Sequence, residues 1–267
     1  MPALSPILVS RLEKAASDNG FDQVLEPEGD WLVVASTQCP LRVWLGAFGD
    51  AARLADEARP WILLAAFSQQ NVARALRDYG TPMAAPMPKG AAGGRTAPDV
   101  PALHRLLRRA FQLSKTLPNE LLHTFEKQIA ALPKTTDVER LVVQRVGQNL
   151  FRGGLLDLWE GRCAVTDLAV PVLLRASHIK PWADCETDAE RLDVYNGLLL
   201  APHLDAAFDA GFITVADDGA VFVSESLDAD ARAVLGLDQP LRVRGITDGH
   251  RSYLPWHREL VFERSTK

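Results

Sequence analysis

Apolar positions fall in short runs over the first eighty residues and follow a helical repeat after residue 100. The stretch up to about Asn19 reads as an amphipathic helix. Trp31–Ala35 and Leu41–Leu45 are apolar runs separated by a polar turn, which predicts a hairpin; Trp61–Phe67 is a third strand candidate, followed by a helix from Asn71 to Tyr79. The pattern then dissolves into TPMAAPMPKGAAGGRTAPDVP, a composition too poor in large apolar side chains to build a core, which predicts a flexible linker over 81–100. Helices are expected to open at Pro101, at Pro118, and at Thr135 or Thr136, where Glu139 follows Thr136 by three residues. The third helix would place Arg145 and Arg152 on one face, and Gly153-Gly154 are candidate breakers. Beyond it the chain is mixed. Short strands are expected around Val170–Leu174 and Asn196–Leu200, a short helix from Pro202 to about Ala210, and a hairpin in FITVADDGAVFVSES around Asp-Asp-Gly. The tail adds a helix (DADARAVLGL), a strand (LRVRG) and a helix-like HRSYLPWHREL. The fold class expected is α+β: a small α/β domain over 1–80, the linker over 81–100, a helical connector over 101–134 and a second domain over 135–267.

Composition narrows the function classes. With 47% apolar and 24% charged residues, the chain has the balance of a soluble globular protein, and no apolar run is long enough to cross a bilayer. The N-terminal segment lacks the basic start and apolar core of a signal peptide. Cys39, Cys163 and Cys185 are scattered rather than patterned, so a reducing cytoplasm is the expected location. The net charge of −5 is unevenly spread. Residues 1–80 carry 7 Lys/Arg against 10 Asp/Glu, residues 81–160 carry 11 against 7, and residues 161–267 carry 11 against 17. A polyanion would sit most comfortably against the middle third, whereas an acidic final third suits a divalent cation.

Five segments in that final region occur in order: GQNLFR (147–152), GRCAVTD (161–167), ASHIKPW (176–182), RLDVYNGLLL (191–200) and PHLDAAFD (202–209). Together they resemble the HNH endonucleases, in particular a bacterial branch with the pattern ASHIKPW…NGLLL…FD. The resemblance covers roughly residues 138 to 215 and implies a ββα-metal fold that hydrolyses double-stranded DNA. It implies His178 as the general base, Asn196 as the residue that orients the His-bearing loop, and His203 as a catalytic helix-start residue. His203 and Asp205 would be ligands to a divalent ion, Mg²⁺ or Mn²⁺. Where many relatives carry an acidic residue or His just before the base, this chain has Ser177, so water or a carboxylate such as Asp184 would have to compensate.

The residue types suit that chemistry. Phosphodiester hydrolysis needs an activated water and a Lewis acid, and an imidazole can be neutral at working pH yet accept a proton. His203 and Asp205 are two apart, about 200° on a regular helix, so both reach one ion only if His203 lies in the entry turn. Asp209 is expected to make a structural hydrogen bond at the helix end. Arg145, Arg152, Arg175 and Lys180 are candidate DNA contacts; Arg145, Gln148 and Arg152 would alternatively brace the module. Cys163 has Thr166 where a zinc site would need a second cysteine, so no structural zinc is expected. A restriction or defence nuclease is the expected function, with a homodimer or two successive encounters needed to cut both strands. The alternative is a non-catalytic DNA-binding or regulatory protein on an HNH scaffold.

Overall fold

The computed structural model describes residues 4–48, 62–84, 86–117, 120–130, 132 and 137–262. The expected start signals at Pro118, Thr135 and Thr136, the first strand residue Trp61 and the Glu139 side chain lie outside the described residues. The chain divides into two compact units, Met1–Leu117 and Pro118–Lys267.

The first unit opens with helix α1 (Pro6–Ser17), whose first turn is capped by the Ser5 hydroxyl accepting the Leu8 N–H. Strands β1 (Gln23–Glu28), β2 (Trp31–Ala35), β3 (Arg42–Phe48) and β4 (Ile62–Phe67) follow. After α2 (Gln70–Ala75) come β5 (Thr81–Pro82), β6 (Gly93–Ala97) and α3 (Val100–Thr116). The six strands form one antiparallel sheet in the order β1-β2-β3-β4-β6-β5. The hairpin and third strand expected from the apolar runs are there; β1 was not expected, because its polar, largely exposed sequence QVLEPE carries no alternation. Register puts Val33, Trp44, Ala66 and Gly94 in one line across the sheet. Trp31, Val33, Trp44, Leu64 and Ala66 make a small core on that face.

The expected linker over 81–100 is corrected by this sheet. Its glycines mark contact rather than freedom: a Cβ on Gly93 would stand 2.7 Å from Ala73 Cβ, and one on Gly94 2.6 Å from Met83 Cε. Nor is the helix after Pro101 a connector, since α3 buries Leu103, Leu106, Leu107, Ala110 and Leu113 and belongs to the first unit.

In the second unit α4 (Glu120–Ile129) packs on α5 (Asp137–Leu158). The helix runs unbroken through Gly153-Gly154, because Gly154 is where Leu121 and Val194 come closest: a Cβ there would lie 2.6 Å and 2.8 Å from their methyl carbons. The strand expected around Val170–Leu174 is a turn, closed by Leu173 N–H to Val170 O (2.9 Å) and Leu174 N–H to Pro171 O (3.2 Å). Strand β7 (Arg175–His178) follows, then α6 (Asp188–Leu192), β8 (Gly197–Leu200) and α7 (Pro202–Asp209). β7 and β8 are antiparallel, with Arg175 opposite Leu200 and His178 opposite Gly197. The hairpin β9 (Ile213–Val215) and β10 (Val221–Val223) comes next. The expected LRVRG strand contributes only a bridge between Ala220 and Arg242. Helices α8 (Ala229–Leu235), α9 (Asp248–Arg251) and α10 (Leu254–His257) lead into a last helical turn, Arg258–Phe262. Among the described residues no helix is long and apolar enough to cross a membrane.

One core joins these elements, and α4 gives it Leu121, Phe125 and Ile129. A fragment starting at Thr135 loses all three, at about 1.5–3 kcal/mol for each buried side chain. That sum is comparable to the whole stability of a domain. The fragment Pro118–Lys267 is therefore expected to melt cooperatively, and the fragment 135–267 to lack a cooperative transition by circular dichroism. Equal melting temperatures for the two would contradict this account of the core.

Candidate active site

β7 delivers His178 to the edge of a cleft also lined by Ser177, Trp182, Asp209, His257 and Val261. The ring is held on three sides. Phe151 of α5 stacks on it at 3.7 Å between centroids and 13° between planes, and Trp182 meets it edge-on at 5.8 Å. The third contact is chemical: His178 Nε2 lies 3.0 Å from the Arg191 carbonyl oxygen. A carbonyl only accepts, so Nε2 carries the proton and Nδ1 is the ring atom left to accept one. Burial pushes the imidazole below its ordinary value, and the hydrogen bond to Arg191 opposes that shift.

Asn196, fully buried, governs the loop between His178 and β8. Its Oδ1 accepts the Lys180 N–H at 2.8 Å, and its Nδ2 donates to the carbonyls of Lys180 and Glu190, both at 3.1 Å. The Asn196 backbone carbonyl also accepts from Ile179 N–H at 3.0 Å. One amide thus ties both ends of the 179–190 loop, and the Glu190 carbonyl it holds adjoins the Arg191 carbonyl that fixes the His178 tautomer. Arg191 finishes the loop, its Nε donating to the Trp182 carbonyl at 3.2 Å and its Nη1 pairing with Asp188 at 3.0 Å.

α7 sets the acidic side of the cleft. Its first turn is regular, Asp205 N–H bonding Ala201 O at 2.9 Å, so His203 sits in the helix proper and not in an entry turn. It is exposed and points about 200° from Asp205. Asp209, one turn beyond Asp205, shares its face. Ser177 donates its hydroxyl to Asp205 Oδ1, and Asp209 opens into the cleft beside His178. Partial burial, with the Asp205 charge adding to it, pushes the Asp209 carboxyl up to about 6. The geometry brings together His178, Asn196, Asp205 and Asp209, and leaves His203 apart.

A histidine-bearing strand, an Asn-clamped loop, a partner strand and a carboxylate helix coincide with one stretch of sequence. Residues 163–216 match the family described as HNH endonuclease. This segment is an HNH module. No curated protein matches the chain.

HNH nucleases generally use a divalent metal, and the donor set here bears on how one would be held. Among the described residues no three His, Cys, Asp or Glu side chains converge to enclose an ion. Two carboxylates one helical turn apart, one of them raised by burial and then by the other's charge, do suit a hard cation that keeps most of its oxygen ligands as water and phosphate. Asp209, expected to make a structural hydrogen bond, has no such bond among the described residues.

The cations expected on DNA divide sharply. Arg152 donates through Nη1 to the Leu174 carbonyl (2.6 Å) and through Nη2 to that of Pro171 (2.8 Å), so it braces the turn before β7. Lys180 is paired with Glu190 at 3.1 Å. Both make internal ties, and for Arg152 this is the bracing role expected as the alternative to a phosphate contact. Arg175 is exposed, with its guanidinium at 3.3–3.4 Å from the Leu173 and Leu174 carbonyls. Arg145 is exposed with no partner among the described residues, and Gln148 is exposed beside it on the helix. Cys163 is buried, its sulfur accepting from Thr166 N–H and Ala201 N–H. Asp184, a suggested compensating carboxylate, does not line the cleft.

His257 had no sequence signal. It stacks on Phe208 at 3.7 Å, and burial lowers its pKa to about 4, the hydrogen bond to Phe208 opposing. His250, packed between Trp159 and Tyr195, is likewise lowered to about 4 by burial, with Arg251 adding to it. Both stay neutral in the native protein below pH 6.5, where the unfolded chain takes up protons. Their stability contribution is therefore whole above about pH 6.5 and is lost as pH falls toward 4, by about 3 kcal/mol each at most. The urea midpoint is expected to drop clearly between pH 7.5 and pH 5; an unchanged midpoint would refute it.

Proposed function

We propose that the protein is a metal-dependent endonuclease that hydrolyses DNA phosphodiester bonds, with His178 as general base and Asp205 and Asp209 as the carboxylates that hold the ion. The observation that carries this reading is the bond from His178 Nε2–H to the Arg191 carbonyl, which leaves Nδ1 as an acceptor in a cleft shared with Asp209. His257, the other histidine lining the cleft, has both nitrogens engaged and offers neither to a water.

In this mechanism a water between His178 and the scissile phosphate loses its proton to Nδ1 as its oxygen attacks phosphorus, while the bond from phosphorus to the leaving sugar oxygen breaks and that oxygen takes a proton from solvent. Asn196 keeps the ring aimed by holding the Glu190 carbonyl next to the Arg191 carbonyl that bonds the ring, and Phe151 keeps it from tilting. Ser177 fixes one oxygen of Asp205, leaving the other oxygen and the Asp209 carboxylate for the ion. A divalent cation bound there supplies Lewis-acid stabilisation of the phosphate and of the leaving oxygen. His203, on another side of α7, stands outside this set. The first unit would serve target recognition or regulation, as in a restriction or defence enzyme acting on duplex DNA in the cytoplasm.

The test is incubation of the purified chain with methylated and unmethylated plasmid in Mg²⁺, in Mn²⁺ or in EDTA. Cleavage with either cation and none in EDTA is expected. Cutting that persists in excess EDTA, or intact plasmid under every condition, would defeat the proposal.

A further inference from the structure

The HNH match ends at residue 216, yet the cleft does not. His257 and Val261, from α10 and the helical turn after it, form one of its walls. His257 is nearly inaccessible, at 2% exposure, and both its nitrogens are engaged. Nε2 lies 3.1 Å from the Phe208 carbonyl oxygen and therefore donates; Nδ1, 2.9 Å from Thr214 Oγ1, therefore accepts the hydroxyl proton. One ring thus bridges the last turn of α7 to β9, while its face packs on Phe208 at 9° between planes. Nearby, Arg258 ties the same segment to β9 and its turn, bonding the Val215 carbonyl at 3.1 Å and Asp217 at 2.8 Å.

Phe208 immediately precedes Asp209. The carbonyl held by His257 belongs to the peptide unit that leads into the Asp209 Cα, so the ring fixes where that carboxylate enters the cleft. Helix ends fray unless something holds them, and α7 has only eight residues. Its N-terminal half is held by the bond between Ser177 and Asp205; its C-terminal end is closed by Gly211 N–H to the Phe208 carbonyl (2.9 Å) and Phe212 N–H to that of Ala207 (2.8 Å), and His257 adds a side-chain bond to the Phe208 carbonyl from outside the module.

We infer that His257 is a positioning residue for the ion-binding carboxylates: by bridging the Phe208 carbonyl and the Thr214 hydroxyl it locks the last turn of α7 so that Asp209 faces His178. This rests on the nuclease reading above. Groups one step removed from an ion act by orienting its ligands, and losing one costs about 10–100-fold in metal affinity or activity.

The test uses the full chain, Mn²⁺ titration calorimetry without DNA, and plasmid cleavage well below each variant's melting temperature. His257→Phe keeps the stack on Phe208 and removes both hydrogen bonds. It should weaken Mn²⁺ binding and lower kcat about 10–100-fold without raising KM for DNA, and His257→Gln, which retains an amide donor and acceptor, should recover part of both. If His257→Phe does not fold, Thr214→Val, which removes only the hydroxyl donor, should shift Mn²⁺ affinity in the same direction. A merely structural histidine would lower the melting temperature and leave Mn²⁺ affinity and kcat of the folded protein unchanged; that outcome overturns the inference while the nuclease reading stands. Failure of the unaltered chain to bind Mn²⁺ or cut DNA would remove both.

Discussion

Replacing His178 with alanine is expected to slow DNA cleavage about 10²–10⁴-fold, the usual cost of a lost general base, while Mn²⁺ binding stays near that of the unaltered chain. The ring touches Phe151, Trp182 and the Arg191 carbonyl, and no carboxylate among its described hydrogen bonds, so the ion's ligands should survive its removal. Raising Mn²⁺ should not rescue the variant, whereas it should partly rescue Asp205→Asn and Asp209→Asn, whose loss is one of affinity. The unaltered enzyme needs a neutral imidazole, so its rate should rise with pH and then level. Burial holds that imidazole below its ordinary value of 6.5, which centres the rise below that pH. His178→Ala should lose the rise. Wild-type turnover in this variant, or a limb that persists unchanged without the ring, would remove His178 from the role of base.

The second large effect is expected at Asn196. Alanine there strands the Lys180 N–H and the carbonyls of Lys180 and Glu190, each left without its partner unless water enters. We expect a loss of about 2–4 kcal/mol in stability together with a fall in kcat larger than the unfolded fraction explains, because releasing the Glu190 carbonyl frees the neighbouring Arg191 carbonyl that sets the His178 tautomer. Aspartate should do no better, since it offers no N–H to those carbonyls. Chemical denaturation and cleavage rates at low temperature separate the two contributions. A variant that is destabilised yet turns over normally would reduce Asn196 to a fold-holding residue.

The parts of the molecule legible in the sequence are those where one residue's chemistry decides the outcome locally. Trp31–Ala35 and the run beginning at Leu41 gave a hairpin because two short apolar runs split by a polar turn mark paired strands, the first buried on both faces. His178 and Asn196 were readable because their motifs occur in order at close spacing. Glycine misled twice for one reason. Gly93-Gly94 and Gly153-Gly154 looked like chain breaks, but at Gly93, Gly94 and Gly154 the missing Cβ makes room for Ala73, Met83, Leu121 and Val194, contacts that exist only once the fold does. Whether His203 and Asp205 could share an ion was a question of helical phase: a helix already regular at Ala201 puts positions 205 and 209 on one face and 203 elsewhere. Arg152 and Lys180 illustrate a different limit. A cation beside a nuclease motif suggests phosphate, yet these two charges serve backbone carbonyls and Glu190, and only coordinates distinguish an internal tie from a surface contact.

The bond between His257 and the Phe208 carbonyl also has a consequence in time. Asp209 precedes its clamp by 48 positions along the chain, which at ribosomal rates of about 5–20 residues per second amounts to several seconds. During that interval the growing polypeptide holds strand, loop and carboxylate helix with one wall of the cleft still unmade. Synthesis itself thus delays completion of the cleft wall until the segment carrying His257 and Val261 has emerged and docked.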